Sequence, residues 1–493
     1  MTVQSNLLFF MSDNHNRDVA GCYGHPLVKT PNIDRIAAAG VRFDNAYCAS
    51  PLCCPSRAAV ATGRFPHQTG YWDNALAYDG KIASWMHRLR DSGYDVVSVG
   101  KLHFRSGEDD NGFSEEILPM HILDGKGSVQ TFLRAYDGEP ACTTGKRWEL
   151  YFKRSGVGST HYQEYDQDIT RNAIAWLERN AKKSGRPWAL FVSYISPHPP
   201  FTVPKRLYDL YPLDQMPLPP RFSPDERATH PAAEHHRRIM GTREMTDENA
   251  LRHVAASYFG LVTHVDEQIG QVMQGATALG ALNNTRIIYT SDHGELFGAH
   301  GLLGKAIMYE GAIAVPLLMA GPDIPKGQTA GQLVSHVDLF PTLLESCGVP
   351  LAESDAGLRG KSLWPVLRGR QETRSCFAEF HANFSKSGAF MLRDGPMKLI
   401  YHVGMPAQLF NIAHDPEEAH DLVADGTGVA DAKTLEAKLR LICDPEETDA
   451  RAKADQRAKA QYYGGPAKLA DAETIIFTPP PGVSGAQAGA FDA

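Results

Sequence analysis

No uninterrupted apolar stretch in the 493 residues approaches the ~18–20 needed to cross a bilayer. The apolar run at residues 7–11 has neither a basic segment before it nor a small-residue cleavage site after it, so it reads as a strand. A chain without membrane contact, resident in the cytoplasm, is the expectation. Excess positive charge is missing as well: 49 Lys+Arg against 57 Asp+Glu give a formal net charge of -8, which offers no field for nucleic acid. Cysteines are few and scattered, eight in all, so a disulfide scaffold is excluded and most should be buried thiols; the adjacent Cys53 and Cys54 stand apart. No internal repeat is found. With 43% hydrophobic and 22% charged residues the chain is globular, and its length calls for one large lobe with a smaller appendage.

Strand-like runs at 7–11, 96–99, 189–194 and 286–290 alternate with helical patterns, which predicts an α/β fold with a mostly parallel sheet sandwiched by helices. The clearest helix spans about 247–273, where Leu251, Val254, Tyr258, Val262, Val265, Ile269 and Val272 recur at steps of three and four. Nine prolines between Pro197 and Pro224 suggest an excursion over the site. After Arg368 come short strands at 376–380 and 399–402 and a helix near 434–442. The expected division is a catalytic domain 1–368, an α+β subdomain 369–478 and an extended arm 479–493 that grips a neighbouring subunit.

In an open α/β sheet, ligands sit beyond the carboxyl ends of the strands. Those ends carry Asp13 and Asn14, Lys101 and His103, His198, and Asp292 and His293. Each alone could be a cap or turn residue; four coincident sets point to one shared polar site. Asp13, Asn14 and Asp292 offer the hard oxygens that Ca²⁺ or Mg²⁺ prefers, and His293 adds a nitrogen that suits Mn²⁺. Lys101, His103, His198 and Lys305 would surround an anionic group, so the substrate should be a small oxyanion ester. The segment from Ser50 to Arg64 reads as a loop entering a helix, with Pro55 at its first position and Cys53 near the helix N-terminus beside Arg57.

Cys53-x-Pro55-Ser56-Arg57 followed by Thr62-Gly63-Arg64 resembles the signature of the formylglycine-dependent (type I) sulfatases of the alkaline phosphatase superfamily. The resemblance runs on through Ser12-Asp13-Asn14, Gly100-Lys101-Leu102-His103, Ser196-Pro197-His198, Ser291-Asp292-His293-Gly294-Glu295 and Gly304-Lys305. It implies an alkaline-phosphatase-like fold and a sulfuric ester hydrolase, arylsulfatase-like, matured by a formylglycine-generating enzyme that acts on Cys53 and not Cys54. It further implies one divalent cation, Ca²⁺ with Mn²⁺ as alternative, on Asp13, Asn14, Asp292, His293 and the converted Cys53. Arg57 would support the formylglycine hydrate; Lys101, His103, His198 and Lys305 would bind and polarise the ester, with Asn74 a further contact. One diol oxygen would attack sulfur, Lys305 or His198 would protonate the leaving oxygen, and His103 would remove the second diol proton to expel sulfate.

Two positions depart from the commoner pattern: Asn14 stands for Asp, and His293 for Asn. The second is shared with the phosphonate monoester and phosphodiester hydrolase branch and with choline-sulfatase-like members, so hydrolysis of a phosphorus ester is the alternative activity, and an oxyanion-binding protein without catalysis a third. Restoring the acid with Asn14→Asp is expected to tighten Ca²⁺ binding. Tyr71, Trp72, Trp148 and Tyr151 could line the leaving-group side or simply pack.

Overall fold

The computed structural model describes residues 4–127, 151–152, 155–181, 185–465 and 478–483, together with Arg134 and Lys468. Ten strands form its first part: β1 (Asn6–Ser12), β2 (Gly40–Tyr47), β3 (Asp95–Lys101), β4 (Glu115–Met120), β5 (Gly156–Val157), β6 (Trp188–Ser193), β7 (Thr202–Val203), β8 (Thr285–Ser291), β9 (Leu317–Ala320) and β10 (Gln328–Ser335). Eight of them make one sheet in the order β10-β2-β9-β8-β1-β6-β3-β4. Every pairing is parallel except the two made by β9, which alone runs backwards.

The sequence of β1 explains why the sheet is covered on both sides. Leu7, Phe9 and Met11 enter one core, while Leu8 and Phe10 enter the other. A strand apolar at every position must be buried on both faces. On one face lie the helices His161–Asn180 and Glu248–Ala278, with Ile169, Trp176, Val265 and Ile269 against the sheet. On the other lie Cys53–Thr62, Trp85–Asp91 and Leu339–Ser346. The long helix starts where expected, because the Asp247 carboxylate accepts the Ala250 N–H at 3.0 Å, and it continues to Ala278. The proline-rich excursion packs Phe201, Val203, Leu207 and Tyr211 on the N-terminal half of this helix.

The second part is an antiparallel meander of β11 (Ser375–Phe380), β12 (Ala389–Asp394), β13 (Met397–His402) and β14 (Gln408–Asn411). The helix Val429–Arg440 lays Leu435 and Leu439 against Phe390, Leu392 and Leu399. This sheet has no core to itself: Ala378, Phe380, Ile400 and Phe410 belong to the large core of the first part. Lys398, fully buried, reaches Glu310 at 2.9 Å and Glu418 at 2.8 Å and ties the two parts by charge. Among the described residues no helix is long and apolar enough to cross a membrane.

Candidate active site

Strands β8, β1, β6 and β3 are neighbours running in one direction, so their carboxyl ends open on a single rim. Asp13 and Asn14 follow β1 directly, Asp292 and His293 follow β8, Lys101 ends β3, and His198 lies five residues beyond β6. Asp13, Asp292 and His293 have no exposed surface. From the opposite face the helix Cys53–Thr62 points its first turn at this rim. It begins at Cys53, two residues before the proline expected to open it; Pro55 is tolerated because N–H groups of the first turn have no partner within the helix. The Cys54 N–H finds its acceptor in Asn74 Oδ1 at 3.0 Å. Asn74 therefore commits its oxygen to the helix start.

Cys53 is the focus of the cluster. Its Sγ lies 3.2 Å from His293 Nε2, 3.1 Å from Lys305 Nζ and 3.9 Å from Asp13 Oδ1. The thiol marks the place that the oxygens of a hydrated aldehyde would take. Arg57, one turn along the helix, donates to Asp292 Oδ2 at 2.8 Å, to Asp13 Oδ2 at 3.3 Å, and to Lys101 O and Ser193 Oγ at 2.9 Å each. Lys101 Nζ lies 2.7 Å from Asp13 Oδ2. Cys54, by contrast, packs against Ala77 and Ile122, and burial pushes its thiol well above the ordinary range.

The electrostatics follow from this crowding. Burial works against the charge on Asp13, but Lys101, His198 and Lys305 outweigh it and hold the carboxyl well below its usual range. Burial and the charge of Asp13 push Asp292 up to about 6. Burial brings His293 down to about 4 and His103 and His198 well below the imidazole range, the latter two helped by the neighbouring lysines. Lys305 is held charged by Cys53, Asp13 and Asp292 against its burial.

The donor set is compatible with a metal ion. Asp13, Cys53, Asp292 and His293 each present one donor atom, and these atoms lie within 4.8 Å of one another. His293 donates from Nδ1 to Gly294 O at 3.0 Å, which leaves the Nε2 lone pair as a ligand. Asn14 Oδ1 is buried and makes no hydrogen bond among the described residues, a costly state that an ion would relieve.

Several contributors were not legible beforehand. Asp166 accepts the N–H groups of Ile195 at 2.8 Å and Ser196 at 3.1 Å and so fixes the turn that leads to His198. His236 donates to Lys305 O at 2.8 Å. Thr478 Oγ1 lies 2.9 Å from His103 Nε2, and its carbonyl accepts the Tyr162 hydroxyl at 2.9 Å. Thr478, just before the arm expected to grip a neighbour, thus touches the site of its own chain; residues 484–493, the greater part of that arm, lie outside the described residues. Of the aromatic set, Tyr71 donates to Asp79 and Trp72 to Asp455, both as packing residues. Tyr151 stacks its edge on Phe201, and Trp148 lies outside the described residues.

Comparison with known proteins agrees with this geometry. The family model described as Sulfatase matches residues 5–349, and one described as N-sulphoglucosamine sulphohydrolase, C-terminal, matches 298–443. The choline-sulfatase of Rhizobium meliloti (strain 1021) is 31% identical over 484 residues, covering 94% of this chain and 91% of that protein. Arylsulfatase K of Xenopus laevis is 28% identical over 471 residues, covering 90% and 83%. Among solved structures, BT4656 in complex with its substrate D-glucosamine-2-N,6-O-disulfate superposes with a TM-score of 0.72 at 24% identity, over 92% of this chain and 98% of that one. The phosphonate monoester hydrolase of Agrobacterium radiobacter superposes with a TM-score of 0.70 at 23% identity, over 91% and 96%.

Proposed function

This chain belongs to the sulfatase family and is a sulfatase, and from that premise we propose that it hydrolyses a sulfate monoester to alcohol and sulfate with Cys53, converted to formylglycine, as the nucleophile. The observation that carries the reading is the convergence on one buried side chain: Lys305, His293 and Asp13 all meet Cys53 Sγ, while Cys54 beside it meets none of them among the described contacts. Hydrated formylglycine would supply an oxygen that can attack sulfur; Asp13, Asn14, Asp292 and His293 would hold a divalent cation, Ca²⁺ with Mn²⁺ as alternative, whose positive charge would favour the ionised form of the diol.

The remaining roles fall to the chain's own groups. Arg57 bonds Asp13 and Asp292 at once and fixes their separation. Lys101 and Lys305 place positive charge where the sulfuryl oxygens gain negative charge. Lys305 is the proton donor to the leaving oxygen. His198 suits this less, because its Nδ1 lies 2.7 Å from Pro199 O and must carry the hydrogen, so the neutral ring presents an acceptor at Nε2. His103 is the base, acting through Nδ1, since Nε2 is engaged by Thr478.

A panel of sulfate monoesters, phosphonate monoesters and phosphodiesters, run on protein with formylglycine confirmed by mass spectrometry, tests the reading. Turnover of sulfate esters above all others is expected. His293, at the position shared with phosphonate monoester hydrolases, favours the second reading, and a phosphonate turned over faster than every sulfate would establish it.

A further inference from the structure

Asn14 is held on three sides. It adopts a left-handed backbone (φ 74°), its N–H donates to Asp292 Oδ1 at 3.2 Å, and its carbonyl accepts the Tyr258 hydroxyl at 2.7 Å. Its amide Nδ2 donates to Glu295 Oε2 at 2.7 Å. Glu295 has no exposed surface, and its other oxygen, Oε1, accepts the N–H groups of Phe297 and Gly304. Gly304 immediately precedes Lys305. One buried carboxylate therefore touches both a candidate metal ligand and the turn that carries the proton donor.

A carboxylate only accepts hydrogen bonds, so Glu295 dictates which end of the Asn14 amide faces it. With Nδ2 turned to Glu295, Oδ1 is left as a buried acceptor without a hydrogen bond among the described residues. We propose that Glu295 is a positioning residue that sets Asn14 Oδ1 toward the cation, and that Asn14 and Glu295 form a matched donor–acceptor pair in which an acid at 14 requires a hydrogen-bond donor at 295. The inference rests on the reading above that Asn14 helps to hold the metal. It reverses the expectation for Asn14→Asp: the new side chain would present acceptor oxygens where Nδ2 now donates to Glu295 across 2.7 Å, and the donor of that bond would be lost.

The pair makes a reciprocal test. In Glu295→Gln, the oxygen of the new amide must still accept Phe297 and Gly304, so its nitrogen turns to Asn14. Asn14 must then flip, presenting Oδ1 to that nitrogen and Nδ2 to the cation. In the double variant, the carboxylate introduced at position 14 accepts from the amide introduced at position 295 with one oxygen and offers the other to the ion. The measurement is Ca²⁺ and Mn²⁺ affinity, by calorimetry and by metal content after dialysis, on protein whose Cys53 is left unconverted so that turnover plays no part. Each single variant is expected to bind about 10–100-fold more weakly, the usual range for a lost outer partner, and the double variant to return to within a few-fold of wild type. Wild-type affinity in both single variants, or a double variant whose losses add, overturns the pairing while the metal site stands. A wild-type chain that takes up neither ion, with Cys53 unconverted and with Cys53 converted alike, overturns the metal reading itself, and the pairing with it. Asn14→Asp changes almost no volume, so it decides the question alone should Glu295→Gln fail to fold.

Discussion

The ammonium of Lys305 lies 3.1 Å from Cys53 Sγ and 3.8 Å from Asp13 Oδ1, held on a turn whose carbonyl is bonded by His236. A cation so close to the nucleophile can serve the transferring group and also deliver a proton. Lys305→Ala should lower kcat/KM about 10²-fold or more, the scale of losing a preorganised donor. The loss should be greater for alkyl sulfates than for nitrophenyl sulfate, whose leaving group needs no proton. Equal losses on both would move the proton donor to His198.

Conversion should fall on Cys53 alone. Peptide mass spectrometry of active protein is expected to find a loss of about 18 Da there, from thiol to aldehyde, and an intact thiol at Cys54. Cys54 is enclosed by Ala77 and Ile122, and its N–H holds the helix start through Asn74, so a modification at that position alone would refute the assignment.

The strand ends were readable because apolar runs such as 7–11 are followed at once by polar residues, and ligands gather at carboxyl ends. Direction was not: β9 is four apolar residues, and nothing in them marks that it runs against its neighbours β2 and β8. β14, also four residues, is too short for alternation to stand out. Residues that act on the site through others were hidden for a different reason. Thr478 meets His103 across 375 positions and His236 meets Lys305 across 69, contacts that only the tertiary fold creates. Glu295 lies within a recognised motif, yet its bond to Asn14 spans 281 positions, a contact that the sequence does not reveal.

The buried tie between the two parts should appear in acid. Burial opposes the charge on Glu310, but Lys398, Arg17 and Arg393 outweigh it and bring its carboxyl down to about 2. A depressed carboxyl contributes stability above its unfolded value, near 4.5, and loses it as pH falls toward 2. Glu310→Gln should destabilise the protein at pH 7 by about 3 kcal/mol, the scale of breaking a buried pair. The deficit should still be present at about pH 5 and shrink as pH falls below it. Denaturant unfolding of both proteins between pH 7 and 3 measures this, and a deficit independent of pH would remove Glu310 from the tie.

Thr478 should fix the protonation pattern of His103. If Nε2–H donates to Thr478 Oγ1, the lone pair sits on Nδ1, which is buried and makes no hydrogen bond among the described residues. A base needs that arrangement. The segment is seated for the task, since the Tyr162 hydroxyl holds the Thr478 carbonyl and Pro479 and Pro480 are buried. Thr478→Val keeps the shape, removes the acceptor and leaves a buried N–H unpaired, which favours the other tautomer. Since the lost bond also favoured the protonated ring, the pKa of His103 should drop further and the acid limb of kcat/KM should move to lower pH. We expect kcat to fall about tenfold or more, short of the ~10²–10⁴-fold attributed to losing a whole general base, with KM little changed and Thr478→Ser restoring both rate and profile. A Thr478→Val enzyme with the wild-type kcat and pH profile would mean that the bond only packs the segment, and the base would have to be sought elsewhere on the rim.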